Sequence, residues 1–380
     1  MTLLYVFWIF LQFPKLIHKK YRQLFFAKFR SISMPPKTRP RLWVHGVSLG
    51  EIKTAFPLLD HVEGYEIIAT TGTPVALDAA KKNSKIAHSF YLPFDFPPLV
   101  KRSIAAIDPD LFILIETDFW PNLIASLDVP IILINGRLSS TAYRRWKQVP
   151  FIAKPLFSKI TSAYMQTEVD RRRIEELGAP RAEVSCNLKF DRPVPRAVQK
   201  EDIVMLTCSH AGEEEMFLDA VGPVLGAWKI VIAPRRPERF DTVAALLKKR
   251  GISFARSSEN RDAPCILIDQ MGVLDTYYAK AKVVLIGASF IPGGAGHSPI
   301  EPLLHRAHVF FGEGMHKQRS IVDPLLENGL ARTISMDALA EILRGIGEGG
   351  IEEKIASFFT LVRGEGQRIW EKVVQETILD

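Results

Sequence analysis

The chain has 380 residues, 47% hydrophobic and 24% charged, a globular composition long enough for two ordinary domains. Its three cysteines, Cys186, Cys208 and Cys265, lie too far apart for a CxxC zinc site or a disulfide framework, which suits a reducing compartment. The formal net charge of +7 hints at nucleic acid, but residues 1–50 hold nine Lys or Arg and no acid, and without those nine, 40 basic residues face 42 acidic ones. With no nucleic-acid module signature either, that partner is excluded.

In chain order, residues 1–40 read as an apolar and basic arm. The leader "MTLLYVFWIFLQF" is short for a transmembrane helix, and its positive charges follow the apolar run instead of preceding it as in a signal peptide. In "PKLIHKKYRQLFFAKFR", Ile17, Tyr21, Leu24, Phe25 and Phe29 share one helical face. Such a basic amphipathic segment suits an anionic membrane surface; the alternative is a helix packed on the core. Residues 41–190 then alternate strands and helices: strands "RLWVH", "YEIIATT", "SFYLPF", "LFILIE" and "PIILIN", with helices "EIKTAFPLLDHV" and "PVALDAAKKN" among them. This rhythm predicts βαβ units and a parallel sheet. Residues 191–202, around "DRPVPRAVQKED", read as a linker. The pattern restarts over 203–350 with "IVMLTC", "EEEMFLDAVGPVL", "WKIVIAP", "PERFDTVAALLKKR", "PCILID", "VLDTYYAKA", "KVVLIG" and "HVFFG", and 351–380 reads as a C-terminal helix, a candidate to cross back to the first domain.

Two doubly wound α/β domains place ligands beyond the carboxyl ends of their strands. No Gly-x-Gly-x-x-Gly follows the first strand, which disfavours a nicotinamide enzyme. Glu51, at a strand-to-helix junction, serves either the helix dipole or general-base chemistry. Glu116 and Asp118 in "LIETDFWPN" have three readings: binding hydroxyls, tuning each other's pKa, or capping the next helix. "SHAGEEE" reads as an N-cap at Ser209 before an acidic first turn. Arg235 and Arg236 in "IAPRRPERF" are either phosphate or carboxylate ligands or a solvated turn. "GASFIPGGAGHSPIEPL" is either a loop that needs positive φ or an anion loop of free backbone amides, with Ser298 as N-cap, Pro299 at N1 and Glu301 in the first turn. The Asp-x-Asp at 108–110 precedes a strand and carries little weight as a metal motif, and no cluster has metal-ligand spacing.

Seven motifs, "WVHGVSLGE", "YLPFDFP", "LIETDFWPNLI", "LINGRLS", "NLKFD", "IAPRRPERF" and "IGASFIPGGAGHSPIEPL", stand in the order seen in 3-deoxy-D-manno-octulosonic acid (Kdo) transferases. The resemblance runs over about residues 1–330. It implies a GT-B fold of two Rossmann-like domains facing a cleft. It implies inverting, metal-independent transfer of Kdo from CMP-Kdo to a lipid A precursor, lipid IVA, with no cofactor beyond that co-substrate. The expected place is the cytoplasmic face of the inner membrane, with an anionic membrane as partner. Carried over residue by residue, Glu51 resembles the catalytic base and Glu116 the second essential acid. Arg235 resembles a CMP-phosphate ligand, and Ser209, Gly296, His297, Ser298 and Glu301 the remaining donor site, Glu301 on the ribose. The family usually has Asn where this chain has Ser298, His where it has Arg236, Gly where it has Cys186, and a Pro-x-x-x-Asn-Phe run where it has "EGMHKQR". Two other functions stay open: a GT-B transferase using a uridine nucleotide, and a catalytically silent nucleotide-binding membrane protein.

Overall fold

A computed structural model describes residues 24–29, 32–347 and 351–378; the apolar leader and most of the basic arm lie outside them. Residues up to Asp191, together with those from Gly364, form the first domain, and Arg192–Arg363 the second.

In the first domain, β1 (Arg41–Gly46), β2 (Glu66–Thr71), β3 (Ile86–Tyr91), β4 (Leu111–Ile115), β5 (Ile131–Gly136), β6 (Ile160–Met165) and β7 (Ala182–Val184) form one parallel sheet in the order β3-β2-β1-β4-β5-β6-β7. Every residue of β1, β4 and β5 is buried, as expected of central parallel strands covered on both faces. Arg41 tolerates that burial because its guanidinium donates to Glu66 at 2.7 Å and to the carbonyls of Ile107 and Pro35. The strand order reverses between β1 and β4, so the connections after these two neighbouring strands turn to opposite faces of the sheet and leave a crevice at the strand ends.

The second domain repeats the plan. Strands β8 (Glu201–Ser209), β9 (Lys229–Pro234), β10 (Phe254–Arg256), β11 (Cys265–Leu267), β12 (Ala281–Ile286), β13 (His308–Phe311) and β14 (Ala331–Thr333) run in the order β10-β11-β9-β8-β12-β13-β14. Here the reversal falls between β8 and β12. Sequence patterning did not reveal β6, β7, β10 or β14. The first carries Thr161 and Ser162, which interrupt its apolar run, and the other three are only three residues long.

Three expectations change. The C-terminal segment is two helices, Ile351–Val362 and Glu365–Ile378, parted at Gly364 with φ +82°. The break lies where the chain leaves the second domain for the first. There Asp191 accepts the amides of Gly364 (2.9 Å) and Gly366 (2.7 Å), and Glu183 pairs with Lys372. The nine basic residues of the first fifty are not all free for a membrane: Arg41 is buried, Lys37 pairs with Asp108 and Asp110, and Lys28 lies beside the Phe94 ring. That pairing also gives Asp108–Asp110 a structural job. Finally, Phe25 is buried against Phe94, so the described end of the arm packs on the first domain.

A Cβ on Gly366 would meet Leu58 N and the Pro57 carbonyl carbon at 2.6 Å. Gly366→Ala should therefore cost about 1–3 kcal/mol, the usual range for overpacking, and lower the first domain's thermal midpoint. An unchanged midpoint would show that this helix is not closely seated.

Candidate active site

The loop after β1 is built around Glu51. It is the N3 residue of the helix Leu49–Leu59 and forms a capping box with Ser48. Its carboxylate accepts the Val47 amide at 2.7 Å, the Ser48 amide at 3.3 Å and the Ser48 hydroxyl at 2.8 Å. The helix-terminus reading is thus correct as local structure, and it holds the carboxylate at the point where the strand order reverses.

Glu116 follows β4 and takes a left-handed φ of +63°. Its Oε1 accepts Lys189 Nζ at 2.5 Å and Asn135 Nδ2 at 3.3 Å. Asn135, also left-handed at φ +51°, accepts the Leu188 amide at its side-chain oxygen and Gln166 at its carbonyl. One residue thus fastens "LING", "ETD" and "NLKFD" together. From the other side, buried Asp95 accepts the amides of Asn122 and Leu123, both at 2.9 Å, and so caps the helix Pro121–Ser126. Capping is therefore done by Asp95 and not by Glu116 or Asp118.

Asp118 is left between these anchors. Burial, then the charges of Glu51 and Glu116, push its carboxyl up to about 6, partly offset by the Lys28 ammonium. Burial pulls Lys28 down in turn, against the pull of Asp118. His45 on β1 is fully buried, held by Thr70 at Nδ1, and pushed down to about 3 mainly by burial. Its Nε2 and the indole nitrogen of Trp120, whose ring lies edge-on to it at 5.7 Å, have no partner among the described residues.

In the second domain, Cys208 at φ +53° and Ala288 at φ +59° flank the reversal between β8 and β12. Fully buried Glu213 accepts the amides of His210 (2.9 Å), Ala288 (2.7 Å) and Phe290 (3.0 Å). Part of the loop read as an anion loop is therefore committed within the protein. The amides of Ala288 and Phe290 are taken by Glu213, and those of Gly287, Gly294 and Gly296 bond to backbone carbonyls. Nor does Ser209 cap a helix. It ends β8, its hydroxyl donates to buried Glu214 at 2.7 Å, and Glu214 pairs with Arg239. The helix Glu213–Val221 is instead capped by Gly212, left-handed at φ +94°. Ser298 does not cap either: the helix Ile300–Leu304 begins at a Pro299 cap, and the Ser298 hydroxyl only accepts the Ile300 amide at 3.3 Å.

Above this frame, His297 Nε2 lies 3.4 Å from His210 Nε2. Burial, then Arg235 and His210, push His297 down to about 4. Arg235 is exposed, with its amide on the Ser209 carbonyl. Glu301 is half-exposed and pairs with Arg192 at 2.9 Å. Both Arg235 and Glu301 act electrostatically on Cys208, which places them around one strand end. Gly296 has no room for a side chain: a Cβ would meet Met315 Sδ at 2.0 Å. Among the described residues there is no cluster of three metal-ligating side chains.

The model of the family described as 3-deoxy-D-manno-octulosonic-acid transferase (kdotransferase) matches residues 21–192. The 3-deoxy-D-manno-octulosonic acid transferase of Haemophilus influenzae is 30% identical over 77% of this chain and 76% of its own length. The chain belongs to the 3-deoxy-D-manno-octulosonic acid transferase family. The transferase of the same name from Bordetella pertussis is 30% identical over 71% of this chain and 72% of its own. Among solved structures, UDP-GlcNAc 2-epimerase from Neisseria meningitidis bound to UDP-GlcNAc matches with a TM-score of 0.58 at 12% identity, covering 88% of this chain and 100% of that one. That likeness concerns the fold, two doubly wound domains of the GT-B type.

Two of the departures from the usual motifs have local partners. Cys186 stands in place of Gly without a positive φ, and its amide donates to Glu365 at 3.0 Å. In the "EGMHKQR" run Gly314 donates to the Ser289 carbonyl, as Gly312 just before it does to the Ser289 hydroxyl, and Met315 lies against Gly296. The sequence reading missed Lys189, Asn135, Asp95, His210 and Glu213. Each lay inside a quoted motif, or beside one, but its partner is distant in the chain.

Asp118 yields a test. Its folded value near 6 exceeds the unfolded value of 3.8, so the folded state holds this proton longer. Its contribution to stability is full below about pH 3.8 and is lost as pH rises through about 6. Asp118→Asn removes that titration. The midpoint difference, mutant minus native, should grow in the mutant's favour between about pH 4 and 6; a constant difference would remove Asp118 from the carboxylate cluster.

Proposed function

We propose that the chain transfers Kdo from CMP-Kdo to a lipid A precursor, lipid IVA, with inversion at the anomeric carbon, without a metal, at the cytoplasmic face of the inner membrane. The observation that carries this reading is the fixed carboxylate of Glu51, within electrostatic reach of Asp118 as Glu116 is, at the ends of the paired strands β1 and β4, in a chain of this family. A sugar hydroxyl attacking the anomeric carbon must lose its proton, and a positioned carboxylate can take it. Glu51 fills that role because three hydrogen bonds fix its direction. Glu116, neutralised by Lys189, acts as the second acid by shaping the pocket charge.

The bond that breaks joins the anomeric carbon to a phosphate oxygen, and the electron pair leaves with CMP. Charge on that phosphate needs cationic or hydrogen-bonding partners. With the Ala288 and Phe290 amides committed to Glu213, this task falls to Arg235 and to the neutral His297. Glu301 stands on the ribose, Gly296 and Ser298 shape the turn, and Ser209 supports it from beneath through Glu214. The N-terminal arm, with the basic residues beyond those the first domain neutralises, holds the enzyme to an anionic bilayer that contains its acceptor.

CMP should compete with the donor and UDP should not; the reverse would replace cytidine by uridine in this reading. Glu51→Gln should lower transfer by about 10²–10⁴-fold while CMP binding persists. Arg235→Ala should weaken CMP binding by about 1.5–3 kcal/mol, the range for a hydrogen bond to a charged group. Turnover at the native rate in the glutamine variant would take the base role from Glu51.

A further inference from the structure

The segment from Val129 to Thr167 contains no Asp or Glu but carries Arg137, Arg144, Arg145, Lys147, Lys154 and Lys159. Of its two helices, Ser140–Lys147 leans on the core through partly buried Ala142, Tyr143 and Trp146, and Pro150–Phe157 has a buried and an exposed side. Ala153, Leu156 and Phe157 are buried, while Phe151 on the opposite side is 75% exposed. Arg144, Arg145 and Lys154 are exposed as well. Lys147 is already engaged by Tyr143 and Glu176, and Lys159 by Asp128 and two backbone carbonyls. The acids on the adjoining helix Glu168–Leu177 are likewise occupied: Glu176 by Tyr143 and Lys147, Glu168 and Glu175 by Arg171 and Arg172. Arg144, Arg145 and Lys154 make no ion pair among the described residues.

We propose that the outer face of these two helices, Arg144, Arg145, Phe151 and Lys154, is a second docking surface for an anionic bilayer, with Phe151 entering the headgroup region. An exposed aromatic ring with uncompensated cations on its own and the preceding helix matches a surface that is apolar within and anionic without. The position fits the occupant. Phe157, on the inner side of the second helix, touches Phe119 at 4.9 Å and Trp146 at 5.3 Å. Phe119 adjoins Asp118, so a bilayer on this face meets the domain next to its carboxylates. This inference rests on the reading that the acceptor is a membrane lipid, and it adds a contact independent of the N-terminal arm.

The test is partition of the full chain onto vesicles of phosphatidylglycerol and phosphatidylethanolamine, against vesicles of phosphatidylcholine alone, with no nucleotide sugar present. The variant Arg144→Gln/Arg145→Gln/Phe151→Ser should bind the anionic vesicles at least ~10-fold more weakly, since each cation near such a surface contributes roughly fivefold. The conservative variant Arg144→Lys/Arg145→Lys/Phe151→Trp should bind like the native chain. Lys248→Gln/Lys249→Gln, which removes the same charge from the exposed end of a helix in the second domain, should too. Unchanged partition of the first variant, or an equal loss in the second-domain control, overturns the proposal. So does a native dimer, in the absence of vesicles, that the first variant dissociates, because the face would then belong to a second copy. Vesicle binding is measured without Kdo transfer, so the surface and the enzymatic reading stand or fall separately.

Discussion

The burial of a carboxylate beside two others is the constraint around which this end of the first domain is arranged. Glu51, Glu116 and Asp118 gather where β1 and β4 part, and three like charges in a partly buried place do not stay there unaided. Each has its own remedy. Glu51 is held by two amides and a hydroxyl at a helix start, Glu116 by Lys189, and Asp118 by the ammonium of Lys28 and by a raised affinity for its proton. The remedies come from distant parts of the chain: Lys28 from the end of the arm and Lys189 from the segment just before the second domain. The packing of the arm's end on Phe94 and the hub at Asn135 are therefore part of the same electrostatic arrangement.

The second domain uses the same architecture with a different fastening. Buried Glu213 holds the loops at its reversal in shape by accepting amides that follow both β8 and β12. Four residues other than glycine with positive φ, Glu116, Asn135, Cys208 and Ala288, stand at the ends of β4, β5, β8 and β12. Backbone strain of this kind persists where surrounding bonds over-determine it, and such places cluster at functional sites. In both domains the strain sits at or beside the reversal of strand order, where doubly wound sheets bind their ligands.

The sequence disclosed the long apolar strands and the two-domain plan because parallel strands buried on both faces read as continuous Val and Ile runs. It did not disclose β6, where Thr161 and Ser162 dilute the run, nor the three-residue edge strands. Glu51 and Glu116 were legible because strand-to-helix junctions and paired acids are local signals. The acidic first turn that holds Glu213 was legible, but nothing near it announces that Ala288 and Phe290, some 75 residues on, will donate to it. The N-cap readings of Ser209 and Ser298 failed for a related reason. Residue type favours a cap, but Gly212 and Pro299 took those places once tertiary packing set the helix starts.

The proposed role of these two frames is transfer of Kdo to a membrane lipid. The most direct measurement is incubation of the purified chain with CMP-Kdo and tetraacylated lipid A precursor in the presence of a chelator, followed by mass and anomeric NMR analysis of the lipid. The account predicts release of CMP and a Kdo-bearing lipid of inverted anomeric configuration. No lipid product, a product of retained configuration, or transfer that stops when the metal is removed would contradict it.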